Sequence, residues 1–230
     1  EIAKLIDPKS KTYEQIAFFY FVQYHLHLQL LDATNYAHHN GVIVKGDIPI
    51  GVYRFGADAW QNPNLFHMDM QAGAPPDDFA VSGQNWGFPT YNWEVMASDG
   101  FAWWKSRFDQ MKFYFDAFRI DHILGFFRIW SIPMHAVEGI LGHFVPAIPV
   151  SINELNAKGI KCDHYRLTHP YINETILFQT FGYDNELIKK EYLKQIGDGH
   201  YELLPAYKTQ RQVETYFSVM PQDDWHDKIK

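Results

Sequence analysis

The pattern of apolar and polar positions divides the chain into stretches of different period. Residues 13–40 read YEQIAFFYFVQYHLHLQLLDATNYAHHN, with no Gly or Pro inside and Gly41 immediately after, where a helix end favours a residue that tolerates positive φ. One long helix is predicted, starting near Thr12. Residues 42–52 (VIVKGDIPIGV) open with β-branched residues and then meet Gly46 and Pro49, the pattern of a strand running out into a loop. Alternation puts Ile43, Lys45 and Asp47 on one face, with Asp47 at the carboxyl end. Residues 94–114 read as helix, broken at Gly100, and lead into a second short apolar run at 115–130, FDAFRIDHILGFFRIW. There Arg119 and Asp121 share one face, Phe118 and Ile120 the other, and Asp121 stands at the strand end.

Between the two strands, residues 53–93 are rich in Gly, Pro, Asn and Asp and read as one long loop. The same segment carries Trp60, Phe66, Phe79, Trp86, Phe88, Tyr91 and Trp93, residues in which disordered segments are depleted, so an ordered loop folded over a site is predicted. The order helix, strand, loop, helix, strand predicts a parallel α/β arrangement with right-handed crossovers. After Trp130 the character changes. Pro133, Pro146 and Pro149 punctuate an apolar stretch, helices are predicted over 152–159 and 174–192, and a polar helix signal runs from Thr209 into Asp223, Asp224 and Lys230. Lys189, Lys190 and Lys194 read as a solvated helix face.

In parallel α/β folds the carboxyl ends of the strands carry the active site, which draws attention to Asp47 and Asp121. An Asp held against a guanidinium stays ionised and is available as a nucleophile or a charge stabiliser; the alternative for Arg119 and Asp121 is a structural ion pair. For Asp47 the alternative is turn chemistry before Pro49. Asp77, Gln84 and Trp86 read as two hydrogen-bonding groups beside a stacking platform, or else as internal stitching of the loop. His25 and His27 cannot share a helix face and His38 and His39 are adjacent, so hydrogen-bonded histidines are expected in place of a metal site.

Composition narrows the class. At 230 residues the chain holds one sizeable domain, near the roughly 250 residues that an (α/β) barrel needs. No apolar run approaches the ~18 residues of a membrane span. A net charge of −7 with no basic run argues against a nucleic-acid partner. The single cysteine, Cys162, excludes an internal disulfide and favours a reducing compartment, hence the cytoplasm. Aromatic residues make up 17%, and rings set among polar, Gly-rich loops suit a ligand with apolar faces and polar edges, such as a sugar. The chain opens on Glu1 with no targeting pattern and reads as excised from a longer polypeptide.

Four blocks then point to a family. GDIPIGV (46–52), ADAWQNPNLF (57–66), AGAPPDDFAVSGQNWGFPTYNW (72–93) and FRIDHILGFFRIWSIP (118–133) resemble, in order and spacing, the 4-α-glucanotransferases, the amylomaltase or disproportionating-enzyme family. The resemblance implies part of a (β/α)8 TIM barrel, α/β in class, with a long aromatic lid loop. It divides the chain into a partial catalytic barrel segment over 1–133 and a mainly helical insertion over 134–230. It implies retaining transfer of α-1,4-glucan segments between maltodextrins, with no cofactor and no metal. Asp121 matches the nucleophile and Arg119 the arginine that keeps it ionised; Asp47, Asp77, Gln84, Trp86 and His122 match substrate-binding positions.

Retention needs two carboxyl groups about 5–5.5 Å apart. The family's acid/base glutamate motif is missing here, and neither Glu138 nor Glu154 has it around it, so a central excerpt that is inactive by itself is expected. Open barrel edges would invite self-association. The competing readings are an α-glucan hydrolase of the same clan and a non-catalytic glucan-binding module.

Overall fold

A computed structural model describes residue 5 and residues 7–219. The longest element is helix α1 (Lys11–His39). The Ser10 hydroxyl caps its start by accepting from the Thr12 N–H. Gly41 (φ 72°) ends it, its N–H donating to the His38 carbonyl while the Val42 N–H reaches back to Ala37. Those two bonds satisfy carbonyls that the helix itself leaves free. Polar contacts tie α1 to the rest of the chain: His27 Nδ1 lies 2.7 Å from the Tyr114 hydroxyl and His38 Nε2 lies 2.8 Å from the Asp116 carboxylate. Thr34 is the buried residue along it, and the rings of Phe18, Phe19, Phe21 and Tyr24 are exposed.

After β1 (Lys45–Ile48) the chain forms α2 (Ala57–Gln61) and four short strands, β2 (Phe66–His67), β3 (Met70–Ala74), β4 (Gln84–Asn85) and β5 (Thr90–Tyr91). Helices α3 (Trp93–Ser98) and α4 (Ala102–Met111) flank Gly100 and lead into β6 (Ala117–Ile120). β1 and β6 pair in parallel, Gly46 opposite Phe118 and Asp47 opposite Arg119. In β1 the Gly46 and Ile48 positions are buried and the Lys45 and Asp47 positions exposed, as strand alternation requires. Next come β7 (Ile129–Pro133) and β8 (His143–Val145), which complete an antiparallel sheet of order β4-β3-β7-β8.

Residues 53–93 therefore differ from the single irregular loop expected of them. Their strand β3 is MQAGA, whose small residues carry little strand preference; the antiparallel ladder to β7, from Met70 opposite Pro133 to Gly73 opposite Trp130, supplies its pairing. The core lies between this region and the parallel pair: Ile48, Ile50, Val52, Leu65, Phe66, Tyr91, Met96 and Trp104 are buried together.

The segment after residue 133 adds short strands to the helices expected of it. It holds α5 (Ile152–Ala157), α6 (His164–Thr168), β9 (Ile172–Asn173), α7 (Glu174–Phe181), α8 (Asn185–Tyr192), β10 (Leu193–Gly197), β11 (His200–Leu203) and α9 (Gln210–Phe217). Three of its strands form an antiparallel sheet of order β10-β11-β9, and β8 pairs with β7, so a division at 133/134 falls between two hydrogen-bonded strands. The helix expected over 174–192 is two helices separated at Gly182. The helix expected from Thr209 ends at Phe217; Asp223, Asp224 and Lys230 lie outside the described residues.

Lys189 is not a solvated helix residue. Its side chain is 14% exposed and its ammonium lies 2.5 Å from Glu174 and 2.8 Å from Glu186. These carboxylates raise the Lys189 pKa above its ordinary value. In turn the Lys189 hydrogen bond, then that of the Tyr201 hydroxyl, hold the Glu174 carboxyl below the usual glutamate value of 4.5. A carboxylate depressed in the folded state contributes stability above its unfolded pKa and loses that contribution as pH falls through the folded value. Glu174→Gln is accordingly expected to be less stable than wild type at neutral pH, and the gap in urea midpoint should close as pH falls below 4.5.

Candidate active site

Asp121 follows β6 directly. Its N–H donates to the Ile48 carbonyl at 3.0 Å, so the end of β1 sets the point at which Asp121 leaves the sheet. His122 then turns the chain with φ 50°, a left-handed conformation uncommon outside glycine but more frequent for His than for most residues. Because the strand stops at Ile120, the alternation that would put Arg119 and Asp121 side by side does not continue through Asp121. The Arg119 guanidinium instead donates to Asp47, its partner across the parallel pair. Neighbouring strands lie about 4.8 Å apart, which makes the opposite carboxylate the natural partner. The direct Arg119–Asp121 pair expected from the sequence is thus replaced by an Arg119–Asp47 pair, both members substantially exposed.

Asp121 lines a cavity of about 380 Å³ together with residues 49–55 and 86–88. Among the described residues lining it, Asp121 is the carboxylate. A volume of this size is within the range of small-ligand sites. Trp86 forms part of the wall. Its ring is stacked on Phe88 at a centroid distance of 5.7 Å, meets His122 edge-on at 5.0 Å, and its Nε1–H donates to Gln84 Oε1 at 3.0 Å.

The structure therefore brings Asp121, Trp86, His122 and Gln84 into one contiguous group, with Asp47 and Arg119 on the strands beneath. Asp77 stands apart. Its Oδ1 accepts from the Phe79 and Ala80 N–H groups at 2.9 and 2.7 Å, internal stitching of the loop, the alternative expected of it. Glu138 accepts from the Gln210 side chain, Glu154 closes a helix cap with Ser151, and neither lines the cavity. Sequence reasoning missed Tyr53, Arg54 and Phe55, which form one wall. Two rings flanking an Arg just beyond a strand end was the available signal. Among the described residues no group of three His, Cys, Asp or Glu side chains is placed to hold a metal ion, and no helix is long and apolar enough to cross a membrane.

Gly51 fixes how closely the two walls approach. A Cβ there would lie 2.3 Å from Phe88 Cγ, so the ring that supports Trp86 would have to move. Gly51→Ala is expected to cost about 1–3 kcal/mol of stability. Urea unfolding and the tryptophan emission maximum would read that cost and the displaced ring respectively.

The 4-alpha-glucanotransferase family model matches residues 1–217. The 4-alpha-glucanotransferase DPE2 of Oryza sativa subsp. japonica is 45% identical over 213 residues, covering 93% of this chain and 22% of the rice protein. The 4-alpha-glucanotransferase of Chlamydia pneumoniae is 36% identical over 124 residues, covering 54% of this chain and 24% of its own length. The chain spans about a quarter or less of the length of these relatives. Among solved structures, the amylomaltase from Streptococcus agalactiae in complex with acarbose superimposes on 100% of this chain and 53% of its own with a TM-score of 0.58 at 24% identity, a likeness of fold. Amylomaltase from Corynebacterium glutamicum gives a TM-score of 0.54 at 26% identity over 60% of this chain and 20% of its own. The strand-end aspartate, the aromatic wall beside it and the extent of the sequence match make this chain a member of the 4-alpha-glucanotransferase family.

Proposed function

We propose that these residues supply the nucleophile and part of the sugar-binding surface of an enzyme that transfers α-1,4-glucan segments between maltodextrins with retention. The observation that carries this reading is Asp121, at the carboxyl end of a parallel strand, lining a cavity with Trp86 on its wall. An Asp121 carboxylate oxygen attacks the anomeric carbon as its bond to the leaving oxygen breaks. That oxygen keeps the bonding pair and takes a proton from a second carboxylic acid. An acceptor hydroxyl then attacks the same carbon, releases Asp121 and returns the proton to the second carboxylate. We assign that second group to a segment outside these 230 residues, because Asp121 is the described carboxylate lining the cavity and the expected glutamate motif is missing.

Arg119, paired with Asp47 across the two strands, braces the strand end from which Asp121 departs. Trp86 stacks on a sugar ring, Gln84 and His122 hold that ring in place, Asp47 supports a neighbouring subsite and Asp77 shapes the loop at its edge. The parallel β1–β6 pair supports the reading of part of a (β/α)8 barrel within 1–133, with 53–93, which carries short strands of its own, as a lid region. Among the described residues the outer edges of this two-stranded sheet have no strand partner, which suits self-association of this chain, and the lone cysteine suits the cytoplasm.

Full-length protein incubated with maltotriose is expected to release glucose and form longer maltodextrins, and Asp121→Asn to lower that rate by on the order of 10³ or more. Unchanged turnover in Asp121→Asn would remove the nucleophile from this position. The 230-residue chain alone is expected to be inactive; activity there would point to an acid/base group within it.

A further inference from the structure

Arg54 is a buried cation that makes no ion pair among the described residues. It is 8% exposed, and each of its three guanidinium nitrogens donates to a backbone carbonyl. Nη1 and Nη2 reach Met68, at 2.6 Å, and Met70, on either side of Asp69 at the start of β3. Nε reaches Gly87 at 3.0 Å. Burial, with the charge of Arg211 added, lowers the Arg54 pKa from its ordinary value. Desolvating a guanidinium is costly, and a purely structural position can be filled by apolar atoms of similar volume at less cost.

The Gly87 carbonyl is the informative partner. The strip 86–88 carries Trp86 and is fixed to β3 on one side, where the Trp86 N–H donates to Ala72 at 3.0 Å and the Phe88 carbonyl accepts from the Ala72 N–H at 2.8 Å. The Gly87 N–H is taken by Asn85 Oδ1 at 2.9 Å. Its carbonyl is held by Arg54, whose own fork is anchored at the start of β3 and whose neighbours Tyr53 and Phe55 line the same cavity as Trp86. Beside the close approach of Gly51 to Phe88, one planar side chain therefore ties residues 53–55 to the strip that carries Trp86. A fork with fixed geometry does this; a flexible ammonium cannot.

We infer that Arg54 is the positioning residue for the Trp86 platform, holding it at the distance from Tyr53 and Phe55 at which an α-1,4-linked glucose ring is gripped. This inference rests on the reading of the cavity as a glucan site. Since Arg54 orders a binding wall and not the reacting atoms, its loss should appear in KM and leave kcat nearly intact.

The test uses full-length protein carrying Arg54→Met, Arg54→Lys, Trp86→Ala or Arg54→Met with Trp86→Ala, with maltotriose as substrate and amide hydrogen exchange as the structural readout. Arg54→Met is expected to raise KM about tenfold with kcat within about threefold, Arg54→Lys to lie between it and wild type, and the double variant to match Trp86→Ala. Exchange should quicken at Trp86 and Ala72 but not at Asp121, whose N–H is bonded to β1. If Trp86→Ala raises KM and Arg54→Met does not, the positioning role is wrong and the glucan site stands. If neither moves KM, the site reading fails and takes this inference with it. If Arg54→Met unfolds, Arg54→Lys decides: local exchange at Trp86 with a raised KM supports the inference, and uniformly faster exchange with unchanged KM overturns it.

Discussion

The hydrogen-bonded register between β1 and β6 fixes the positions of Asp47, Arg119 and Asp121 at the candidate site. It places Asp47 opposite Arg119, and its last bond, from the Asp121 N–H to the Ile48 carbonyl, sets where the nucleophile candidate leaves the sheet. At the other end of the pair a single carboxylate joins three elements. Asp116 accepts from the Val44 N–H at 2.9 Å and from His38 at the end of α1, and its own N–H donates to the Val44 carbonyl. The Val44 bond, then His38, hold the Asp116 carboxyl below its ordinary pKa. The Asp47–Arg119 pair is too exposed to stabilise much. What stabilises the register is the backbone ladder together with burial of Ile48 and the packing of Phe118 against the same core.

The aromatic residues divide between two tasks. Tyr91, Trp93, Trp103, Trp104 and Phe126 form a contiguous group with centroid distances from 4.9 to 6.3 Å, and Arg107 lies over the Trp103 and Trp104 rings. These rings belong to the hydrophobic core or pack against it. Tyr53, Phe55 and Trp86 line the cavity, where rings beside polar groups can meet a ligand.

Carbonyl groups also shape this site. Residues 66–91 cross over one another in strands of two to five residues, too short for their ladders to fix the loops between them. Side chains complete the work: Arg54 binds three carbonyls, Gln71 donates to Pro133 and Ala136, and Asn85 donates to Val137. Arg211, from α9, adds bonds to Ala136 and Gln71, which ties the last described helix to the four-stranded sheet.

Features that rest on local rules are legible before any tertiary contact is known. A stretch free of Gly and Pro followed by Gly41 defines α1, the break at Gly100 separates α3 from α4, and the strand ends near Asp47 and Asp121 are legible in outline, although the β-branched residues 42–44 lie just before β1. Motif blocks around Gln84, Trp86, Asp121 and His122 drew attention to residues that the structure places together at and beside one cavity. Tertiary structure decided what depends on partners distant in the chain. Met70–Ala74 becomes a strand because Ile129–Pro133 pairs with it, and the region after residue 133 holds a sheet because its short strands meet one another. Arg119 turns to Asp47 and not to Asp121 because strand pairing brings the former opposite while the chain bends away at the latter. Arg54 had no local signal for its three carbonyl partners. Local propensity acts over a few residues, whereas the bonds that satisfy a buried guanidinium are fixed only when the chain has closed around it.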